Sequence, residues 1–259
     1  MKRLASIGNK LAPYITAFLL LSIWEVAVRL NHLPSYILPS PLQIIKTLAG
    51  TFPLLLMHTA STLEEAMLGF ILAILIAFLT AFVLDYFYWL NQAVYPLLIV
   101  SQTIPIITLA PLFLIWFGWG LLPKIIVVIL VCFFPIVISL LNGLNSVDPD
   151  LINLFRSMGA SRIAIFKMVK LPSALSVFFS GLKISASYSI MAAVIGEWLG
   201  AEQGLGYFMT IAQKSFRVDR VLAAVVVIAL LSLLVVKAID LAEWLVVPWK
   251  RKQEEREIN

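Results

Sequence analysis

Polar side chains inside long apolar stretches are where this chain could handle a solute, because lipid penalises them unless they serve a path or a contact. Gln102 and Thr103 lie in one such stretch, and Ser185, Ser187, Tyr188, Ser189 and Glu197 in another. Gly181, Ser185, Ser189 and Ala193 recur every four residues, which makes a ridge of small side chains on one helix face. Close helix packing accounts for Gly181 and Ala193. For Ser185 and Ser189 a path and a packing role fit equally. The candidate path is therefore Gln102, Thr103, Ser185, Tyr188, Ser189 and Glu197. Glu25, Glu64 and Glu65, near stretch ends, are read as solvated interface charges. Lys183, Lys237 and Asp240 are read as groups that snorkel or pair internally.

Catalytic chemistry is missing from the pattern. There is no Gly-x-x-x-x-Gly-Lys-Ser/Thr phosphate loop. His32 and His58 are too far apart for a local metal motif, and the serines lack a nucleophile motif or a nearby histidine. Cys132 lies in an apolar run and reads as a small core residue. No catalytic residue, no metal site and no resident cofactor is expected.

The elements that must position these residues are membrane helices. Of 259 residues, 61% are hydrophobic and 13% charged, with a mean hydropathy of +1.00. Soluble domains carry about a quarter charged residues, so most of this surface must face lipid. A disordered chain, a nucleic-acid binder and a secreted disulfide scaffold fit poorly, despite a pI near 9.4. A crossing helix needs about 20 mostly apolar residues. The pattern predicts an all-α integral membrane protein forming a single domain over 1–259. Its six spans fall at about 11–30, 59–84, 90–117, 122–144, 173–199 and 219–246. The third contains Pro96, Pro105 and Pro111 and is expected to kink or re-enter around Ile104–Pro111.

Basic residues set the orientation. With the N-terminus inside, the inner segments hold Lys2, Arg3, Lys10, Arg156, Arg162, Lys167, Lys170, Lys250, Arg251, Lys252 and Arg256. The outer ones hold only Arg29, Lys46, Lys124, Lys214, Arg217 and Arg220. Both termini are expected in the cytoplasm. The seven tryptophans fall near span ends, where an amphipathic ring favours the interface. A cleavable signal peptide is the rival for residues 1–30, but the apolar run leads into Glu25 and Arg29 rather than a small-residue cleavage site.

The inner segment 145–172 is too structured for a connector. Asp148, Pro149 and Asp150 open a helix, and Gly159 suits the position just past its end. Leu151, Leu154, Phe155 and Met158 form one apolar stripe. Ser161 can cap a second helix ending before Pro172. Such a pair either packs on the protein's own spans and the lipid interface, or docks a cytoplasmic subunit.

This loop resembles the signature loop of ABC importer permeases: Glu-Ala-Ala, three residues, Gly, nine residues, Ile, one residue, Leu-Pro. Gly159 and Leu171-Pro172 match, Val169 replaces Ile, and Asn153-Leu154-Phe155 stand in place of Glu-Ala-Ala. Further fragments are similar to the nitrate/sulfonate/taurine-type group. They are Leu38-Pro39-Ser40-Pro41, Gly69-Phe70, Ala110-Pro111-Leu112, Trp116-Phe117-Gly118, Ser146-Val147-Asp148-Pro149 and Gly204-Leu205-Gly206-Tyr207. Glu65 departs from the arginine that many members carry there. Ser187–Met191, Gly196-Glu197-Trp198 and Val247-Pro248-Trp249 lean towards importers of thiamine-pyrimidine precursors.

The resemblance implies the type I ABC importer permease fold in a bacterial inner membrane. It assigns ATPase coupling to Asn153, Leu154, Phe155, Met158, Gly159, Ala160, Leu171 and Pro172. Its partners would be two cytoplasmic ATPase subunits carrying ATP and Mg, a second permease copy, an extracytoplasmic solute-binding protein, and lipid. An ion-coupled secondary transporter working without an ATPase is the alternative, although no convincing internal repeat is visible.

Overall fold

The computed structural model describes residues 2–249, so Lys250, Arg251, Lys252 and Arg256 of the charge pattern lie outside the described residues. No strand occurs among the described residues. The helices are α1 (Lys2–Leu30), α2 (Pro41–Gly50), α3 (Phe52–Tyr86), α4 (Tyr88–Ser101), α5 (Ile106–Phe117) and α6 (Leu121–Asn145). They continue as α7 (Pro149–Ser157), α8 (Arg162–Ile165), α9 (Leu171–Trp198), α10 (Leu205–Lys214) and α11 (Val218–Val246). Five segments are individually long and apolar enough to cross a membrane, and a sixth if α4 and α5 count as one broken span. That pair is bent by 98°. The break falls at 102–105, at the front of the stretch where the sequence suggested a kink. Pro105 disfavours helix at the residue before it, and its own ψ of 111° is extended.

The core is built where α6 lies against α9, with α3 alongside. On α3 the contact stripe is Ala66, Phe70, Ala73, Ala77 and Ala81, all but buried. Small residues let the backbones meet. A Cβ placed on Gly181 of α9 would overlap the Ser139 side chain and the Pro135 carbonyl of α6, and one on Gly143 would sit 2.9 Å from the Ala174 Cα. Two bonds cross the same interface. The Ser185 hydroxyl donates to the Cys132 carbonyl at 2.9 Å, and the Cys132 thiol donates back to the Ser185 carbonyl at 3.4 Å. The outward faces of α3 and α11 carry Leu75, Leu79, Leu233 and Leu234, each at least 60% exposed, as lipid-facing or assembly surfaces require.

Several charges within the long helices are paired. Lys183 meets Asp240 at 2.8 Å and Glu243 at 2.5 Å, and Lys237 meets Asp240 at 3.2 Å. Arg217, just ahead of α11, makes a two-point contact with Asp219 at 2.9 Å, which holds its pKa above the usual arginine value. Asp219 also accepts from Thr47 at 2.8 Å and so ties α2 to α11.

One expected break is absent. The second loop helix does not end before Pro172; α8 passes through a widened turn, Phe166–Lys170, straight into α9. There the Leu171 amide reaches back five residues to the Phe166 carbonyl. This wider turn takes up the proline's missing donor, so Pro172 joins the first turn of α9 without ending the helix.

Gly181→Val should overpack the α6–α9 contact and cost about 1–3 kcal/mol. We expect a lower midpoint of thermal unfolding in detergent, whereas Gly50→Ala, with open space around it, should leave the midpoint unchanged.

Candidate functional site

The α7–α8 loop is shaped by its caps. The Asp148 carboxylate accepts from the Asp150 amide at 2.8 Å, with Pro149 at the first helical position. At the far end the Gly159 amide donates to the Arg156 carbonyl at 2.9 Å and the Ala160 amide to the Phe155 carbonyl at 3.0 Å. These are the paired bonds of a helix closed by a left-handed residue, and Gly159 has φ +82°. Nothing lies within 4 Å of a Cβ added there, so the glycine serves backbone shape rather than packing.

The apolar stripe splits in two. Phe155, with Ile152 and Ala160, packs down on Val147, Ile165 and Val169. Leu151, Leu154 and Met158 stay exposed, Met158 at 74%, and Asn153 stands beside them on the open side. Phe155 therefore turns towards the spans and anchors the loop. Leu171 and Pro172 are half-buried at the base of α9, and Lys170 pairs with Asp85 of α3 at 2.6 Å, fixing the loop to the adjoining span.

At the opposite end of α9 a buried polar cluster closes the chain. Glu197, 1% exposed, accepts from the Thr62 hydroxyl at 2.6 Å and from the Gly206 amide at 2.5 Å. Thr62 accepts from the Leu205 amide at 2.8 Å, and His58 Nδ1 from the Gly204 amide at 3.1 Å. Gly204 has φ +113° and touches the Glu197 carboxylate, so a side chain there meets both strain and overlap. Beside this cluster Lys124 pairs with Glu65 at 2.5 Å. The acidic departure at Glu65 thus has its own cation. A cavity of about 550 Å³ opens next to it between Ser61, Trp119, Lys124 and Gln203.

The path candidates scatter. Ser185 and Ser189 are fully buried, Ser189 donating to the Ala186 carbonyl at 2.9 Å, and Glu197 is committed to the cluster. In this chain all three serve helix contacts. Tyr188 is exposed on α9 with Ile184, Ser187 and Met191 along one face, while Gln102 and Thr103 are exposed at the α4–α5 break. Sequence reasoning did not single out Thr62, and it took His58 only as a histidine without a metal motif and Lys124 only as an outer-segment charge. The closely spaced Gly204 and Gly206 are the signal that could have pointed to a close approach here.

Against known proteins, residues 69–252 match the family described as the binding-protein-dependent transport system inner membrane component. The chain belongs to this family. It is an ABC transporter permease, a multi-pass inner-membrane transport subunit and not an enzyme. The formylaminopyrimidine transport permease ThiX of Halalkalibacterium halodurans is 37% identical over 94% of this chain and 97% of its own length. The riboflavin transport permease RibX of Chloroflexus aurantiacus is 36% identical, covering 91% and 89%. The taurine permease TauC of Escherichia coli is 29% identical, covering 90% and 88%. The inward-facing methionine ABC transporter MetNI shares the fold, with a TM-score of 0.66 at 22% identity over 76% of this chain and 98% of that one. Membership of this permease family displaces the ion-coupled carrier that the sequence left as an alternative.

Glu197→Ala should leave the Gly206 amide without its acceptor, at about 1–3 kcal/mol, while the Thr62 hydroxyl can still donate to the His58 carbonyl, 3.1 Å away. Hydrogen exchange should then accelerate at the Gly204, Leu205 and Gly206 amides while the α6–α9 core stays protected.

Proposed function

We propose that this permease imports a neutral or weakly charged pyrimidine of the thiamine-precursor type. The observation that carries the substrate class is the 37% identity to the formylaminopyrimidine permease across almost the full length of both chains, against 26–29% for the taurine and sulfonate permeases. The riboflavin permease, another carrier of a nitrogen heterocycle, stands at 36%. The working unit on this reading is a pair of identical permeases with two cytoplasmic ATPases and an extracytoplasmic binding protein.

Both termini and the α7–α8 loop face the cytoplasm, which the excess of Lys and Arg on that side supports. Leu151, Leu154 and Met158 enter a groove on the ATPase, with Gly159 and Ala160 closing the helix and Asn153 in place of the family's acidic residue. Phe155, Leu171 and Pro172 hold the loop to the span. Closure of the ATPases around ATP and Mg moves the loops and biases the pair towards an outward-opening state, and hydrolysis resets it. The solute passes between the two copies along the exposed α9 face of Ser187, Tyr188 and Met191, with Gln102 and Thr103 at the bend of the third span.

The test is uptake into proteoliposomes holding the permease, its ATPase and its binding protein. ATP-dependent entry of formylaminopyrimidine, with taurine excluded, is expected; taurine entry without the pyrimidine would overturn the substrate class. Gly159→Val, which forces a β-branched residue to φ +82°, should leave thermal stability intact and abolish ATPase capture and uptake together. Full uptake by a stable Gly159→Val protein would remove the coupling role.

A further inference from the structure

Two adjoining hollows on one flank of α3 have no role in the reading so far. The first, about 400 Å³, is an apolar groove lined by Ile74, Leu75, Phe78, Leu79 and Phe82. The second, about 350 Å³, lies at the α7–α8 end and shares Phe82 with the first. Its walls carry Arg156, Arg162 and Lys170, with Tyr86 and Tyr88 at the rim. Phe82 stacks edge-on against Phe166 of the widened turn at 5.0 Å, so the floor between the hollows is continuous aromatic surface.

The charges in the second hollow do not balance. Lys170 is spent on Asp85, at 2.6 Å. Arg156 and Arg162 meet no carboxylate among the described residues, which leaves two guanidinium groups facing the hollow. From Ile74 to Phe82 the groove runs about 12 Å along α3, at roughly 1.5 Å per residue. An apolar channel that ends in a hollow walled by two arginines without carboxylate partners matches a molecule with a hydrocarbon chain at one end and an anion at the other.

We infer that this flank is a binding site for an anionic phospholipid of the inner leaflet. One acyl chain lies along Leu75, Phe78 and Leu79, and the phosphate sits between Arg156 and Arg162. Guanidinium groups favour phosphate because their fixed fork can donate two bonds at once. A second protein face would have to supply both an anion and a slender apolar ridge along α3; the lipid offers both in one molecule. The site also touches α7 through Ile152 and Arg156, so the lipid would brace the loop we assign to coupling. Its assignment to the inner leaflet rests on the cytoplasmic reading of that loop.

Native mass spectrometry of the permease–ATPase complex, released from membranes with equal phosphatidylglycerol and phosphatidylcholine, tests the proposal. Phosphatidylglycerol should be retained in preference. Arg156→Gln with Arg162→Gln should lower that retention about thirtyfold, from the usual attraction of two basic side chains to anionic lipid. Arg156→Lys with Arg162→Lys, which keeps the charge but loses the two-point fork, should fall between the wild type and the glutamine variant, which separates lost charge from misfolding. Leu79→Trp should reduce retention by filling the groove with the charges untouched. Equal retention of the two lipids, or no change in either the glutamine or the tryptophan variant, would overturn the site. So would displacement by soluble glycerol 3-phosphate, which would mark a site for a free phosphate. Loss of the ATPase with lipid retention unchanged would give the arginines to the subunit contact and likewise overturn it. None of these readouts depends on the transported solute, and labelling of Ser157→Cys from either side checks the membrane orientation independently.

Discussion

In hydrocarbon, two apolar helices gain nothing by excluding lipid tails from between them, so what holds α6 to α9 is close fit. Gly181 beneath Ser139, Gly143 against Ala174 and the alanine stripe of α3 allow backbone-to-backbone approach. Only at that distance can Ser185 and Cys132 exchange hydrogen bonds with each other's carbonyls. Everything else hangs from this contact. One end of α9 carries the capped loop, the other carries Glu197, and both are placed by where the small residues let α9 sit.

Polar groups obey the opposite rule, because each must find a partner before it can be buried. Glu197, Thr62 and His58 satisfy three consecutive amides at the start of α10, Gly204, Leu205 and Gly206, so the helix's unpaired first-turn donors are capped by side chains from α3 and α9. Lys183 with Asp240 and Glu243, and Lys124 with Glu65, follow the same rule between helices. Arg156 and Arg162 stand outside this rule, because both are exposed; what sets them apart is their place together on the wall of one hollow beside an apolar groove.

The helical class and the apolar segments were legible because length and hydropathy are local properties. So were the ends of α7: Asp148, Pro149 and Gly159 act within one or two turns of themselves, and the structure places each at the cap its type suggests. Charge pairs were legible in kind, since Lys183 and Asp240 had to pair or snorkel, but not in partner. The partners within the Glu197 cluster were not legible. Thr62 is 135 residues away, and no periodicity links a threonine in one helix to a carboxylate in another. Pro172 misled for a different reason. Proline rules assume ordinary helical spacing, and the widened turn before it changes that spacing. The stripe on α7 was read from helical period alone, which cannot say that Phe155 faces inward while Leu154 and Met158 face out.

Because the widened turn replaces a break, Arg162 to Trp198 forms one rod of 37 residues. At roughly 1.5 Å per residue such a rod is about 55 Å long. A rigid rod gripped near its middle converts angle into opposite displacements at its tips. Tilting it by only about 5° would carry each tip roughly 2.4 Å, comparable with the helix shifts that accompany switching at packed interfaces. A hinge at Pro172 would have absorbed such a push locally. With the helix continuous through that turn, a displacement smaller than half a helical turn at the α8 tip would reach Glu197 as a reciprocal movement.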